Sequence, residues 1–118
     1  MDFITENFLH VATLVGTIYI LAALISHFFP PKKINHLYGY RTVNSMKNQE
    51  QWDFAQKYST IQMVKAGFLM VILSAIGFVI PLSENLNLIL GLSLAILITF
   101  LMIFSVEKAI KKKFPDVK

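Results

Sequence analysis

The residues best equipped for chemistry are crowded into one short stretch, Tyr38-Gly39-Tyr40-Arg41-Thr42, followed by Asn44-Ser45-Met46 and then by Asn48 and Trp52. Arg41 carries a planar fork of donors suited to two-point binding of a carboxylate, a phosphate or successive helix-end carbonyls. Gly39, between two tyrosines, permits a positive φ or a close backbone approach. Trp52 is amphipathic and is expected to anchor at a membrane interface. A plain connector needs none of this density, so two roles stand side by side. Either the stretch binds a partner or ligand, or it is a structural plug in which Arg41 folds under a helical bundle and bonds helix ends.

Other candidates are sparser. Lys65 is the one charge inside an apolar segment, with Gln62 one turn earlier; together they form an intramembrane polar site if they face the bundle, whereas the lysine stem can also snorkel to the interface. His10 and His27 are about 25 Å apart along a helix, too far to share a metal. His27 and His36 lack a third ligand, so no metal and no other cofactor is expected. The absence of cysteine removes disulfides, thiolate metal sites and cysteine nucleophiles. No serine, histidine and acid set, glycine-rich phosphate loop or paired intramembrane carboxylate is present. No catalytic residue is therefore assigned, and the chain is not read as an enzyme.

The elements that must position these residues follow from hydropathy. The 118 residues are 55% hydrophobic with a mean hydropathy of +0.58, too apolar for one water-facing globule. The excess lies in three segments, 8–29, 61–80 and 86–106, each long enough to cross a hydrocarbon core of about 30 Å. The expected fold is an all-α membrane protein: three transmembrane helices in a small single-domain bundle, a partly helical loop over 30–60 and a basic tail over 107–118. Pro30-Pro31 ends the first span. Pro81 stops the second, and Ser83 caps the third. In the loop, 45–59 reads as helix capped by Asn44 or Ser45. Trp52, Ala55, Tyr58 and Ser59 give it a weakly amphipathic face beside the bilayer. This helix either lies along the interface or runs straight into the second span.

Charge sets the orientation. All eleven Lys and Arg residues border the first loop or follow the third span, whereas Asp2, Glu6 and Glu84 lie at the other end. The basic end is expected in the cytoplasm and the N-terminus outside. The net charge of +4 thereby reports topology, and nucleic acid is not an expected partner. The acidic flank of the first segment also argues against a cleaved signal peptide. Gly16, Gly67, Ser74, Gly77, Gly91 and Ala95 mark places where helices can approach closely.

The Tyr38–Thr42 motif, with Asn44-Ser45-Met46, Asn48 and Trp52 between a first span and a closely spaced pair, resembles the SdpI/YfhL family of small bacterial membrane proteins. That resemblance implies a multi-pass protein of the bacterial cell membrane that gives immunity to a secreted peptide toxin or holds a cytoplasmic regulatory protein at the membrane. The family's immunity protein has additional spans before the shared unit, which this chain lacks. The resulting expectation is a non-enzymatic binding module. Its partners are the lipid bilayer, a peptide toxin or a regulatory protein, and a second copy of the chain. An oligomeric transporter or channel component, or a lipid-headgroup-binding protein using Arg41 and Lys65, are the alternatives.

Overall fold

The computed structural model describes residues 10–75 and 83–115. Over these residues the chain has no strand and three helices, α1 (His10–Phe28), α2 (Gln49–Ser74) and α3 (Glu84–Lys113). The order of contacts shows how they run. Thr13 meets Ser74, Gly16 meets Gly67 and Ser26 meets Thr60, so α1 and α2 are antiparallel. Ala55 packs near Val106 and Ile110, whereas Met70 packs near Ala95, so α3 returns alongside α1.

The α1–α2 crossing depends on two glycines. A Cβ built on Gly16 would lie 2.8 Å from the Gly67 carbonyl oxygen, and one on Gly67 would lie 2.7 Å from the Gly16 carbonyl oxygen and 2.6 Å from Ile20. The backbones therefore touch, which is how small residues favour helix association where lipid removes the hydrophobic drive. Around this contact Ala12, Ala66, Met70, Ala95 and Ile98 form a buried core. Hydroxyl pairs link the helices, Thr13 donating to Ser74 at 2.7 Å and Tyr19 meeting Thr99. Gly91 is also buried, while Gly77 lies outside the described residues.

The outer surface is the reverse of a soluble protein's. Leu14, Ile18, Leu21 and Ile25 of α1, Phe68 and Ile72 of α2, and Ile96, Leu97, Phe100 and Phe104 of α3 are all exposed. Apolar surface of this extent marks contact with lipid or a partner. Both α1, over Val11–Phe28, and α3, over Asn85–Lys113, are long and apolar enough to cross a membrane.

At about 1.5 Å per residue α1 spans about 28 Å, α2 about 39 Å and α3 about 45 Å. The extra turns of α2 and α3 lie at one end, where they build a second core of Ala55, Val106 and Ile110 with Tyr40, Phe54, Tyr58 and Phe114 packed against it. Lys113 Nζ sits 5.5 Å from the centre of the Phe54 ring, a cation–π contact that ties the last turn of α3 to α2.

Several expectations change. The loop helix is continuous with α2 and begins at Gln49. Its cap is Asn48, whose side chain accepts the Gln51 N–H, and Asn44 and Ser45 lie in a turn before it. Trp52, Ala55 and Ser59 face inward and are buried, because the loop and α3 cover the face expected beside the bilayer. Trp52 is consequently a core residue rather than an interfacial anchor, with its indole N–H donating to the Pro31 carbonyl at 2.6 Å. Helix α3 runs through the first half of the expected tail. Ser83 caps α3 as expected, accepting the Leu86 N–H at 3.2 Å.

Replacing Gly67 by Leu forces the two backbones apart, since the added atoms meet the Gly16 carbonyl oxygen and the Ile20 backbone nitrogen as well as Ile20 Cγ1. Overpacking of this kind costs about 1–3 kcal/mol or more. Thermal unfolding of the purified protein should show a clear drop for Gly67→Leu and little change for Ile72→Ala on the exposed face; equal behaviour of the two would remove the glycine contact as the basis of the crossing.

Candidate functional site

The site begins with a loop whose polar groups are matched one by one. Asn35 opens it by accepting the N–H groups of Leu37 and Tyr38 at 2.9 and 2.7 Å, a local side-chain turn. Tyr38 then turns back onto α1, where its hydroxyl donates to the Phe29 carbonyl and lies 3.4 Å from that of Ile25. The Phe29 carbonyl is a helix-end acceptor left by the break at Pro30-Pro31, whereas that of Ile25 already accepts the Phe29 N–H at 2.8 Å. The plug reading gave that task to Arg41; a phenol performs it instead. Arg41 is exposed and donates through Nη1 to the His36 carbonyl in its own loop.

Gly39 is the one position with positive φ among the described residues, at 109°. A Cβ there would fall 2.8 Å from both Gln56 Oε1 and Pro31 Cγ, so conformation and space both require glycine. The next residue is clamped by Gln56, which accepts the Tyr40 N–H at 2.7 Å and donates to the Tyr40 carbonyl at 2.8 Å. One buried amide thus replaces both hydrogen bonds that a neighbouring strand would provide. Ser45, fully buried, accepts the Thr42 N–H at 2.8 Å and points its hydroxyl at the Tyr40 and Thr42 carbonyls. Gln51 donates to the Asn44 carbonyl at 2.7 Å and accepts from the Asn48 side chain at 3.0 Å.

The fastening to α3 is a single carboxylate. Glu107 Oε2 accepts the Tyr40 hydroxyl at 2.6 Å and the Thr42 hydroxyl at 2.8 Å, and Oε1 accepts the Asn44 amide at 2.8 Å. Three donors on one ionised acceptor form a charge-assisted set, about twice as strong per bond as neutral pairs. Burial holds the Tyr40 phenol well above its ordinary value, and the bond to Glu107 and its charge add to the effect: ionising Tyr40 would lose a hydrogen bond and set two anions side by side.

Beneath the loop is an open cleft of about 460 Å³. The loop closes one end with Tyr38, Gly39, Tyr40, Arg41 and Thr42, and the walls come from α1 (Tyr19, Ala22, Ser26), α2 (Ser59, Met63) and α3 (Thr99, Met102, Ile103). Most of its surface is apolar, and Arg41 is the charged side chain that lines it. The sequence motif thus divides by role: Tyr38 to Thr42 line the cleft, while Asn44, Ser45, Asn48 and Trp52 support the loop. Gln62 and Lys65 lie elsewhere, in a shallow groove of about 160 Å³ on the α2–α3 seam, with Lys65 exposed. Glu107, Gln56 and Gln51 were not singled out by sequence reasoning. The available signal was Glu107 itself, the lone acid between Asn85 and Pro115, set in a basic segment.

Glu107→Leu leaves three donors without their acceptor and should cost about 1–3 kcal/mol. Glu107→Gln should cost less, since a flipped Asn44 amide can accept from the new NH2 while Tyr40 and Thr42 donate to its oxygen. Denaturant unfolding of the two variants checks this order. Tyr40 also imposes a pH dependence. The folded chain keeps a phenolic proton that the unfolded chain releases above about pH 10, so this stability is complete below that pH and falls as pH rises toward the displaced folded value. Tyr40→Phe should flatten that alkaline decline; an unchanged slope would show that Tyr40 ionises freely.

A family model described as the SdpI/YfhL protein family matches residues 32–105, covering the loop, α2 and most of α3. The uncharacterized protein YfhL of Bacillus subtilis (strain 168) is 36% identical over 98 residues, 81% of this chain and 82% of that protein. No solved structure matches the chain. On the family match and on this identity over most of both chains, the protein belongs to the SdpI/YfhL family.

Proposed function

We propose that the chain is a multi-pass protein of the bacterial cell membrane that crosses it three times, N-terminus outside and C-terminus inside, and acts as a non-enzymatic binding module. For the third crossing, the support is the apolar half of α2 from Ile61 onward, continued in sequence by Ile76-Gly77-Phe78-Val79-Ile80. For the orientation, it is the gathering of basic residues at the end where α2 and α3 overshoot.

The observation that carries the binding reading is the contrast within one motif. Tyr38, Tyr40, Thr42, Asn44 and Ser45 are all spent on fixing the loop, and the neighbouring Arg41 is left exposed at the mouth of a cleft. A recognition group on a fixed frame is what binding without large ordering losses requires. The guest this frame suits is amphipathic, with an apolar body among the helices and a polar or anionic end at Arg41. The support for protection against a secreted peptide toxin as the corresponding output in the cell is the resemblance to the family's immunity protein.

Two experiments test this. The chain has no cysteine, so single cysteines at Val43, an exposed loop residue, and at Ser83 should label from opposite faces of intact cells; labelling of both from outside contradicts the orientation. In a survival assay under peptide-toxin challenge, Arg41→Lys should lose protection while retaining the wild-type unfolding temperature, because lysine keeps the charge but not the fork. Full protection by Arg41→Lys and Arg41→Ala alike would remove Arg41 from the site.

A further inference from the structure

The cleft has the dimensions and polarity of one membrane leaflet. Its polar end is set by Tyr38, bonded to the Phe29 carbonyl just past α1, and by Arg41 beside it. Its far end is Tyr19, nine residues before Phe28 and about 14 Å along α1, roughly half of a hydrocarbon core of about 30 Å. The walls are mostly apolar, with Ala22, Met63, Met102 and Ile103 joined by the hydroxyls of Ser26, Ser59 and Thr99. The volume of about 460 Å³ falls within the range of about 300–1,000 Å³ found for small-molecule sites.

Resting on the binding reading above, we infer that the cleft takes an anionic phospholipid of the inner leaflet, with its phosphate at Arg41 and one acyl chain along the apolar walls toward Tyr19. Charge complementarity selects this occupant. Arg41 is permanently charged, and its bond to His36 uses one of five N–H donors, leaving most of the fork for a phosphate. No carboxylate lines the cleft among the described residues, because Glu107 is turned to its three loop donors. A free phosphate ion would leave the apolar walls unfilled, and an uncharged chain would leave Arg41 without a counterion. A zwitterionic lipid brings an ammonium group toward the guanidinium. An anionic phospholipid satisfies both ends of the cleft.

Native mass spectrometry of the full chain in mild detergent, titrated with phosphatidylglycerol or phosphatidylcholine, tests the assignment. Wild type should retain phosphatidylglycerol about tenfold more tightly than phosphatidylcholine, whose ammonium group offsets the attraction of its phosphate for Arg41. Arg41→Ala should lose that preference. Met63→Trp, which fills the cleft, should lose retention of both lipids, and Ala22→Val serves as a smaller filler if the tryptophan variant does not fold. Lys112→Ala, an equal charge change on exposed helix α3 away from the cleft, should match wild type. Equal preference in wild type and Arg41→Ala, or full retention in the filled variants, would assign the lipid to the general bilayer surface and overturn the inference. Displacement by glycerol phosphate as effectively as by lipid would reduce the site to one for a phosphate ion. If wild type retains no lipid but Arg41→Lys loses toxin protection, the lipid assignment fails and the binding function stands.

Discussion

The arrangement of this protein depends on one carboxylate. Glu107 stands where α3 leaves the apolar region, and it gathers a phenol, a hydroxyl and an amide from five consecutive loop residues. A loop of some twenty residues between two helices has many conformations to lose, at about 1–2 kcal/mol per residue fixed. No hydrophobic core can be built from Tyr38-Gly39-Tyr40-Arg41-Thr42 alone. Short charge-assisted bonds to a fixed helix supply the order instead, with Gln56 and Ser45 satisfying the backbone between them. Because Glu107 is on α3 and Gln56 on α2, the loop also ties together two helices whose remaining contacts are largely nonspecific apolar ones.

From that fastening the rest follows in sequence. With Tyr40 and Thr42 drawn to α3 and Tyr38 drawn to α1, the loop spans the mouth of the three-helix bundle. Gly39 makes the turn between these two attachments, and its positive φ is the geometric cost of directing alternate side chains to different helices. Arg41, between Tyr40 and Thr42, is then held outward over the cleft. The fixed neighbours and the exposed guanidinium are two consequences of one geometry, and this is why a binding role and a structural role need not compete for the same motif.

Much of the architecture was legible in the sequence, because hydropathy reports lipid exposure directly. The C-terminal end of α1, the cap at Ser83, the glycine contacts at Gly16 and Gly67 and the special conformation of Gly39 can all be read from residue type and position. Tyr38 to Thr42, which line the cleft, also stand out in the sequence by composition. What could not be read was pairing. Arg41 has the chemistry to cap helix ends, but Tyr38 is nearer to them in space. Trp52 has the chemistry of an interface anchor, but the fold places it under Pro31. Glu107 carries no local signal for three partners 63 to 67 residues away, since hydrogen bonds across the fold have no period along the chain. The start of α2 was misplaced for a related reason: Asn44, Ser45 and Asn48 are all good caps, and the choice among them was made by the turn that Ser45 holds closed.

Hydrogen exchange of the loop amides tests the central claim most directly. The N–H groups of Tyr40 and Thr42 lie outside any helix, yet each donates to a side-chain acceptor, Gln56 and Ser45, and on this account they reach those acceptors only while Glu107 fastens the loop. In the protein reconstituted in bilayers, both should exchange far more slowly than unstructured amides. Glu107→Leu should bring both close to the unstructured rate while amides in the middle of α2 remain protected. Fast exchange of both in the wild type, or unchanged protection in Glu107→Leu, would contradict the account.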